Sequence, residues 1–395
     1  MKNISFIIIL LVFTSCKSKS SATGNNQKEE VQKWSVKMAD EVMKQSDSLI
    51  HYLNPKTIKW QYDIAFLGQA IDHLGDIDSK YSRYMEDYVN YFVQEDGSVK
   101  GYKIEEYNID RINPAKNIIT LYKRTGEEKY RKALYSFVEQ MQNHPKTKSG
   151  GFWHKKVYPN QMWLDGIYMA SPFLAQYAKE FNTPELFDEV CLQIELIYEK
   201  TLDEKTGLLY HAYDESREQR WSNKVTGCAP NFWSRSMGWY VMAIVDVLDY
   251  LPENHKDRDD LIALLQNSCE ALLKVRDKDS GLWYQVLDQG NREGNYLEGS
   301  GSAMFCYAFA KGASKGYLDK GYKDMANSVF DSIIKNLIST DENGRIKMKD
   351  ICGGCGLGGN PYRDGSFEYY ISEKRVVNDP KGIAPFILAA IELNK

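Results

Sequence analysis

Five times along this chain of 395 residues, a Gly-marked turn leads into an aromatic and polar stretch, then a charged residue, then an apolar helix. The turns lie at Gly97, Gly151, Gly207, Gly281 and Gly344, and the charged residues are Asp110, Asp165, Arg235, Glu298 and Asp379. The KWQYD run from Lys59 to Asp63 is a weaker sixth copy. A period of roughly 55–75 residues exceeds the common solenoid units and suits a pair of helices with a long connection. On that reading every charged residue opens an inner helix on the same side of one closed ring. Carboxylates, an Arg and several Trp then share one mouth.

Helical periodicity supports this. Over 31–50, Val31, Trp34, Val36, Met38, Val42, Met43 and Leu49 fall on roughly one helix face. Similar patterns cover 63–75, 80–94, 113–124, 127–143, 166–180, 184–201, 237–251, 257–275, 300–315, 319–338 and 381–394. Pro114, Pro184 and Pro380 mark first turns. Strand-like runs, Gly151 to His154 and Leu208 to Tyr213, are short and sit in the connections. The expectation is an all-α fold, an (α/α)6 barrel of six helical hairpins, since a solenoid shows shorter, uniform loops and capping repeats. No linker or low-complexity tract follows residue 30, so 31–395 reads as one catalytic domain.

A net charge of -4 without a basic block argues against nucleic acid as a partner. The 27 Tyr, 15 Phe and 8 Trp suit a core that also stacks rings on sugars. Lys2, an apolar run from Ile4 to Phe13, and Thr14-Ser15-Cys16 read as a signal peptide over 1–15, too short to span a membrane. The Cys after Thr-Ser resembles a bacterial lipobox, with Phe13 in place of the usual Leu. The expectation is acylation at Cys16, a polar flexible tether over 16–30, and a lipoprotein facing the periplasm or the cell surface. Secretion with an incidental Cys is the other reading. Cys191, Cys269 and Cys306 lie in apolar helical contexts and read as inert core. Cys352 and Cys355 in CGGC either close a tight disulfide or stay as thiols, and no second CxxC or nearby His favours zinc.

Candidate chemistry concentrates in three of the repeats. Between Gly150 and Phe173, Trp153, His154, Trp163 and Asp165 lie close together. Asp165 before Gly166 suits an N-cap, but a carboxyl among indoles is poorly solvated, which favours its protonated form. Asp110 in EYNIDRINP occupies the corresponding place one repeat earlier. Two facing carboxylates are the arrangement that hydrolyses glycosides. In TGCAPNFWSRSMGW, Arg235 lies between Trp233 and Trp239, with His211 upstream. That suits an anchor for a carboxylate under indoles covering a sugar face, or an Arg paired to a structural Asp. Glu298 reads as a helix cap, and Arg363, Asp364, Glu368, Asp379 and Lys381 either close the ring or reach its mouth. No His has metal-binding spacing, and nucleotide-binding or GxSxG signatures are missing.

These residues carry a family resemblance. QMWLDGIYMASPFLAQYA, FWSRSMGWYVMAIVDVLDYLP and YRDGSFEYYISEKRVVNDPKGIAPFILAAIEL are similar to the unsaturated rhamnogalacturonyl hydrolases of glycoside hydrolase family 105. The unsaturated glucuronyl hydrolases of family 88 are their relatives, and the match runs from about Trp34 to the end. The resemblance implies an (α/α)6 barrel, no metal or organic cofactor, and a substrate ending in a 4,5-unsaturated uronic acid left by a polysaccharide lyase. It implies Asp165 as general acid/base and Asp110 as the second carboxylate. His154, Trp163, His211, Trp233, Arg235 and Trp239 become substrate-binding positions, with Arg235 on the uronate carboxylate. RSMGW replaces the family's usual RGNGW, which touches the contacts near Ser236 and Met237. The expected substrate is of the pectin rhamnogalacturonan type, with ulvan or gum glycans as the alternative. An epimerase or ordinary hydrolase on the same barrel, and a non-catalytic glycan-binding lipoprotein, are the competing functions.

Overall fold

The computed structural model describes residues 20–53 and 58–395. Six helices form an inner ring: α2 (Tyr62–Asp72), α4 (Ala115–Thr125), α6 (Leu164–Phe181), α8 (Ser234–Val247), α10 (Gly299–Ser314) and α13 (Pro380–Asn394). Each packs on the next, and α13 returns to α2, closing the ring. The outer partners are α3 (Ser79–Phe92), α5 (Glu128–Gln142), α7 (Glu185–Thr201), α9 (Arg258–Lys274) and α11 (Gly321–Leu337). The sixth outer helix is α1 (Ser20–Gln45), which packs on α13, so the two ends of the chain complete the last hairpin. This is the expected (α/α)6 barrel.

Burial explains the two kinds of helix. Every residue of α8 is buried, and α10 and α13 are nearly so, which is why they read as continuous apolar and small residues. The outer α3 and α5 bury only one stripe, with Tyr81, Met85, Tyr88 and Phe92 inward on α3. Glycine permits the closest inner contact: a Cβ on Gly301 of α10 would collide with Ser234 of α8, and one on Gly238 would meet Met304 Sδ at 2.6 Å. The hydrophobic core runs unbroken from Val31 to Leu393.

The Gly-marked turns are tight reversals after the outer helices. Gly97, Gly207, Gly281 and Gly344 have φ of 88°, 77°, 74° and 75°, which a side chain disfavours. In the second repeat Gly150, at φ 101°, takes this role instead of Gly151. Bridges Val93–Val99, Lys146–Phe152 and Leu202–Leu209 close three of these turns. The ladder of β3 (Ile338–Thr340) with β4 (Ile346–Met348) closes the last. The strand-like Gly151 to His154 run supplies only that Phe152 bridge. Nearer the mouth, β1 (Gln161–Trp163) pairs antiparallel with β2 (Ala212–Asp214), and β5 (Ile351–Cys352) with β6 (Arg375–Val376).

Two expectations shift. Helix α8 opens at Ser234 rather than 237, because Ser234, Arg235 and Ser236 are polar by type but buried. A short α12 (Phe367–Ser372) has no counterpart in the sequence reading. The backbone is helical from Ser20, inside the 16–30 segment read as a tether. The signal segment and Cys16 lie outside the described residues.

Candidate active site

All six charged positions of the repeat converge on one end of the inner ring. Asp63, Asp165 and Arg235 sit in the first turns of α2, α6 and α8. Glu298 and Asp379 cap α10 and α13, accepting from the backbone N–H groups of Gly301 and Lys381. Asp110 lies in a 3-10 turn, Ile109–Arg111, just before α4. Asp165 is not an N-cap: Trp163 holds that position and makes no side-chain cap, which leaves the carboxylate free for other work.

Backbone bonds between successive connections fix the rim. Ile109 N–H donates to His154 O at 3.2 Å, and His154 N–H to Gln161 O at 2.7 Å. Leu164 N–H donates to His211 O at 3.1 Å, and Ser234 N–H to Gln285 O at 3.0 Å. The connections are thus laced in order round the mouth, bringing His154, Trp163 and Asp165 of one repeat together with His211 of the next.

Trp163 is the centre of a three-ring stack. His154 lies on one face with centroids 4.5 Å apart and planes 6° from parallel; Tyr158 stacks at 5.0 Å and 12°. His211 meets the indole edge-on at 5.4 Å. Burial lowers the His154 imidazole to about 4, so it is neutral at pH 7. Its Nδ1 is buried without a hydrogen-bond partner among the described residues and faces Gly166, where a Cβ would stand 3.2 Å away.

The two carboxylates differ in their surroundings. Lys155 Nζ holds Asp110 Oδ2 at 2.5 Å, and His154 Nε2 lies 3.5 Å from Oδ1. Burial pushes the Asp110 carboxyl up, but Lys155, His154 and Arg111 outweigh it and hold it below the ordinary range. Among the described residues no Lys or Arg pairs with Asp165; its Oδ2 lies 3.2 Å from His211 Nε2, and neither atom has a well-formed hydrogen bond among those residues. His211 Nδ1 is held by the Tyr370 hydroxyl at 2.7 Å.

Under this layer Arg235 is 1% exposed and stacks on Trp233, with Cζ 4.6 Å from the ring centroid. Its Nη1 donates to Cys352 O at 2.6 Å and Ser300 Oγ at 3.2 Å. Trp233 donates Nε1 to Gln285 Oε1 at 3.0 Å. The same Gln285 amide reaches Tyr370 O at 3.1 Å and Cys352 Sγ at 3.1 Å. Cys352 and Cys355 are free thiols 3.4 Å apart. Trp239 lies deeper, 1% exposed, stacked on Tyr168 and edge-on to Phe66 and Tyr62.

The sequence candidates therefore fall into two groups. Asp165 and Asp110 keep 15% and 19% of their side chains exposed and can touch a ligand. His154, Trp163, His211, Trp233, Arg235 and Trp239 are buried and orient the layer above. The open surface comes partly from Tyr62, Lys155 and Tyr158, which the sequence reading did not single out, and from Asp63, the charge of its weaker sixth copy. Tyr62 feels the charges of Asp63, Asp110, Arg235 and Asp165, so its ring stands among all four. Its one sequence signal was the KWQYD run. In the last block, Lys381 pairs with Asp379 at 2.7 Å and reaches Asp63 at 3.9 Å, whereas Glu368 pairs with Arg292 at the surface.

The other end of the barrel is filled by a polar plug. Lys311 Nζ binds Asp246 at 2.7 Å, and the Tyr307 and Tyr168 hydroxyls reach the same carboxylate. It borders a cavity of about 110 Å³ lined by Gln69, His73, Lys116, Asp246 and Glu392.

The model of Glycosyl Hydrolase Family 88 matches residues 34–395. A solved glycoside hydrolase of family 105 from C. acetobutylicum is 47% identical, with a TM-score of 0.88, over 91% of this chain and 99% of that one. The unsaturated rhamnogalacturonyl hydrolase YesR of Bacillus subtilis is 25% identical over 73% of this chain and 77% of its own length. The unsaturated 3S-rhamnoglycuronyl hydrolase of Formosa agariphila is 31% identical over 40% of this chain and 42% of its own length.

Proposed function

The chain belongs to glycosyl hydrolase family 88, and on that premise we propose that it removes a terminal 4,5-unsaturated uronic acid from lyase-generated oligosaccharides. The asymmetric carboxylate pair is the observation that carries the reading: Asp110 is clamped by the Lys155 ammonium, while Asp165 faces the His211 imidazole. Pairs of acids in unlike environments are how one site separates a proton donor from a permanent charge.

The C4=C5 bond of such a sugar is a vinyl ether conjugated to a carboxylate, so protonation at carbon can replace protonation of the glycosidic oxygen. Asp165 delivers its proton to C4, and positive charge develops at C5 and the ring oxygen. Water adds at C5, giving its proton to the Asp165 carboxylate. The hemiketal then opens and the next sugar is released. Asp110 supplies the fixed negative charge that faces the developing cation. Arg235, buried and already engaged with Cys352 O, acts as a positive charge beneath the mouth rather than as an exposed clamp. Tyr62 and Tyr158 border the open face where the uronate ring would lie.

Both named relatives act, by their names, on uronic acid joined to rhamnose. We take an unsaturated uronate linked to rhamnose as the substrate, with pectin rhamnogalacturonan as the first source and ulvan-type or gum glycans as the second. Loss of the C=C absorbance across a panel of lyase products tests this. Turnover of saturated sugars alone, or binding without loss of absorbance, would contradict it. For its place in the cell we propose lipid attachment at Cys16; release of Cys16→Ala into the soluble fraction tests that.

A further inference from the structure

A second cluster of donor groups lies at the opposite end of the barrel, where α7 faces the connection from α8 to α9. Cys191 and Glu195 are one helical turn apart on α7 and share a face. His255 and Asp257 belong to the connection that leads into α9. Cys191 Sγ lies 3.9 Å from His255 Nδ1, which lies 3.9 Å from Asp257 Oδ2. Donor atoms of Cys191, His255 and Asp257 all lie within 4.8 Å of one another, and so do carboxylate oxygens of Glu195, Asp257 and Asp260. Asp257 is common to both groups.

Several features mark this as more than a surface acidic patch. Cys191 is fully buried, and Glu195 Oε1 is buried without a hydrogen-bond partner among the described residues. His255 presents Nδ1 inward while its Nε2 lies 3.7 Å from Asp188 Oδ1, the carboxylate backing that metal-bound imidazoles commonly have. Carboxylates of Asp257, Glu195 and Asp188 surround the cluster, and this negative surrounding attracts a dication. A thiol and an imidazole exclude calcium and magnesium, which take oxygen ligands. Ligand atoms around tetrahedral zinc stand roughly 3.3–3.8 Å apart. Shifts of a few tenths of an ångström would bring the Cys–His and His–Asp pairs to that spacing.

We infer that Cys191, Glu195, His255 and Asp257 form a structural zinc site that pins the α8–α9 connection to α7. Four protein ligands leave no open position, which separates this site from any catalytic use of the metal. On binding, the Cys191 thiol gives its proton to solvent as the S–Zn bond forms, with no change of oxidation state. Two present contacts give way: the Asp257 N–H bond to His255 Nδ1 at 3.3 Å, and part of the hold of Lys256 on Asp257 Oδ2 at 2.6 Å. Lys256 also binds Asp188 Oδ1 at 2.8 Å, so it can stay on the outer side.

Cobalt(II) titration of the metal-free full-length protein tests the site, because a thiolate ligand gives a near-ultraviolet charge-transfer band. One equivalent should produce the band, and zinc should displace it. Cys191→Ser should abolish it, His255→Ala should weaken binding roughly tenfold or more, and Lys256→Gln should tighten it. A missing band, unchanged affinity in His255→Ala, or a band surviving in Cys191→Ser would overturn the inference. The last result would assign the cobalt to Cys352 and Cys355. His255→Ala changes a residue of the connection rather than the packed core, so it remains informative if Cys191→Ser fails to fold.

Discussion

His211 Nε2 stands 3.2 Å from Asp165 Oδ2, while Tyr370 holds the other nitrogen of the same imidazole at 2.7 Å. Burial drives the Tyr370 hydroxyl well above its ordinary range, so it keeps its proton and can donate to Nδ1. That donation leaves Nε2 as the imidazole nitrogen that turns a proton towards Asp165. A tyrosine that never meets the substrate thereby sets the tautomer beside the proposed acid.

Tyr370→Phe removes that control and little else. One hydrogen bond of about 1 kcal/mol corresponds to roughly a fivefold to tenfold loss. The loss should fall on kcat with KM unchanged, measured by steady-state absorbance kinetics. A KM effect of the same size would place Tyr370 in substrate binding instead.

Asp165→Asn should reduce kcat roughly 10²–10⁴-fold, the usual worth of a positioned proton donor. Asp110→Asn should also slow turnover, but it additionally frees the Lys155 ammonium held at 2.5 Å. Circular dichroism and thermal midpoints should show both variants folded. Near-wild-type turnover by Asp165→Asn would remove it from the reaction.

Arg235→Lys is not conservative here. The planar guanidinium stacks on Trp233 and reaches both Cys352 O and Ser300, and an ammonium cannot do all three. The expected cost is about 1–3 kcal/mol of stability, read as a lower urea midpoint, together with reduced turnover. An unchanged midpoint would contradict the packing described for Arg235.

Stability should fall with acidification in a defined window. Burial lowers both His154 and His144 to about 4, whereas in the unfolded chain they titrate near the ordinary value of 6.5. Between those values the unfolded state binds more protons, so stability is present above about 6.5 and is lost as pH falls towards 4. Each histidine contributes on the order of 3 kcal/mol. Asp110, held below its ordinary range, adds a loss only at still lower pH. Urea midpoints across this range should decline, and His144→Gln should flatten part of the slope. A flat profile would contradict the burial of these imidazoles.

Much of this architecture was legible because each repeat obeys local rules. The apolar runs of α8 and α10 are continuous since those helices are buried all round, and turn glycines such as Gly207 are forced by positive φ. Glu298 could be read as a cap from its place at the head of EGSGS, and it accepts from Gly301 N–H. What stayed hidden depends on contacts far apart in sequence. Gln285 reaches Trp233, Tyr370 and Cys352 across 52, 85 and 67 residues, and no local pattern announces it. Tyr62 lay in the faintest copy of the repeat. Arg235 was readable as a site residue but not as a buried one, because the partner that engages it, Cys352 O, is 117 residues away.

The central claim is that the chain hydrates C4=C5 rather than attacking the anomeric carbon. Turnover of an unsaturated uronyl-rhamnose in D₂O, followed by NMR, tests it most directly. The account predicts one deuteron at C4, delivered to a single face, appearing together with loss of the double bond and release of rhamnose, and absent with Asp165→Asn. Release of rhamnose with the double bond intact, or deuterium on both faces of C4, would contradict it.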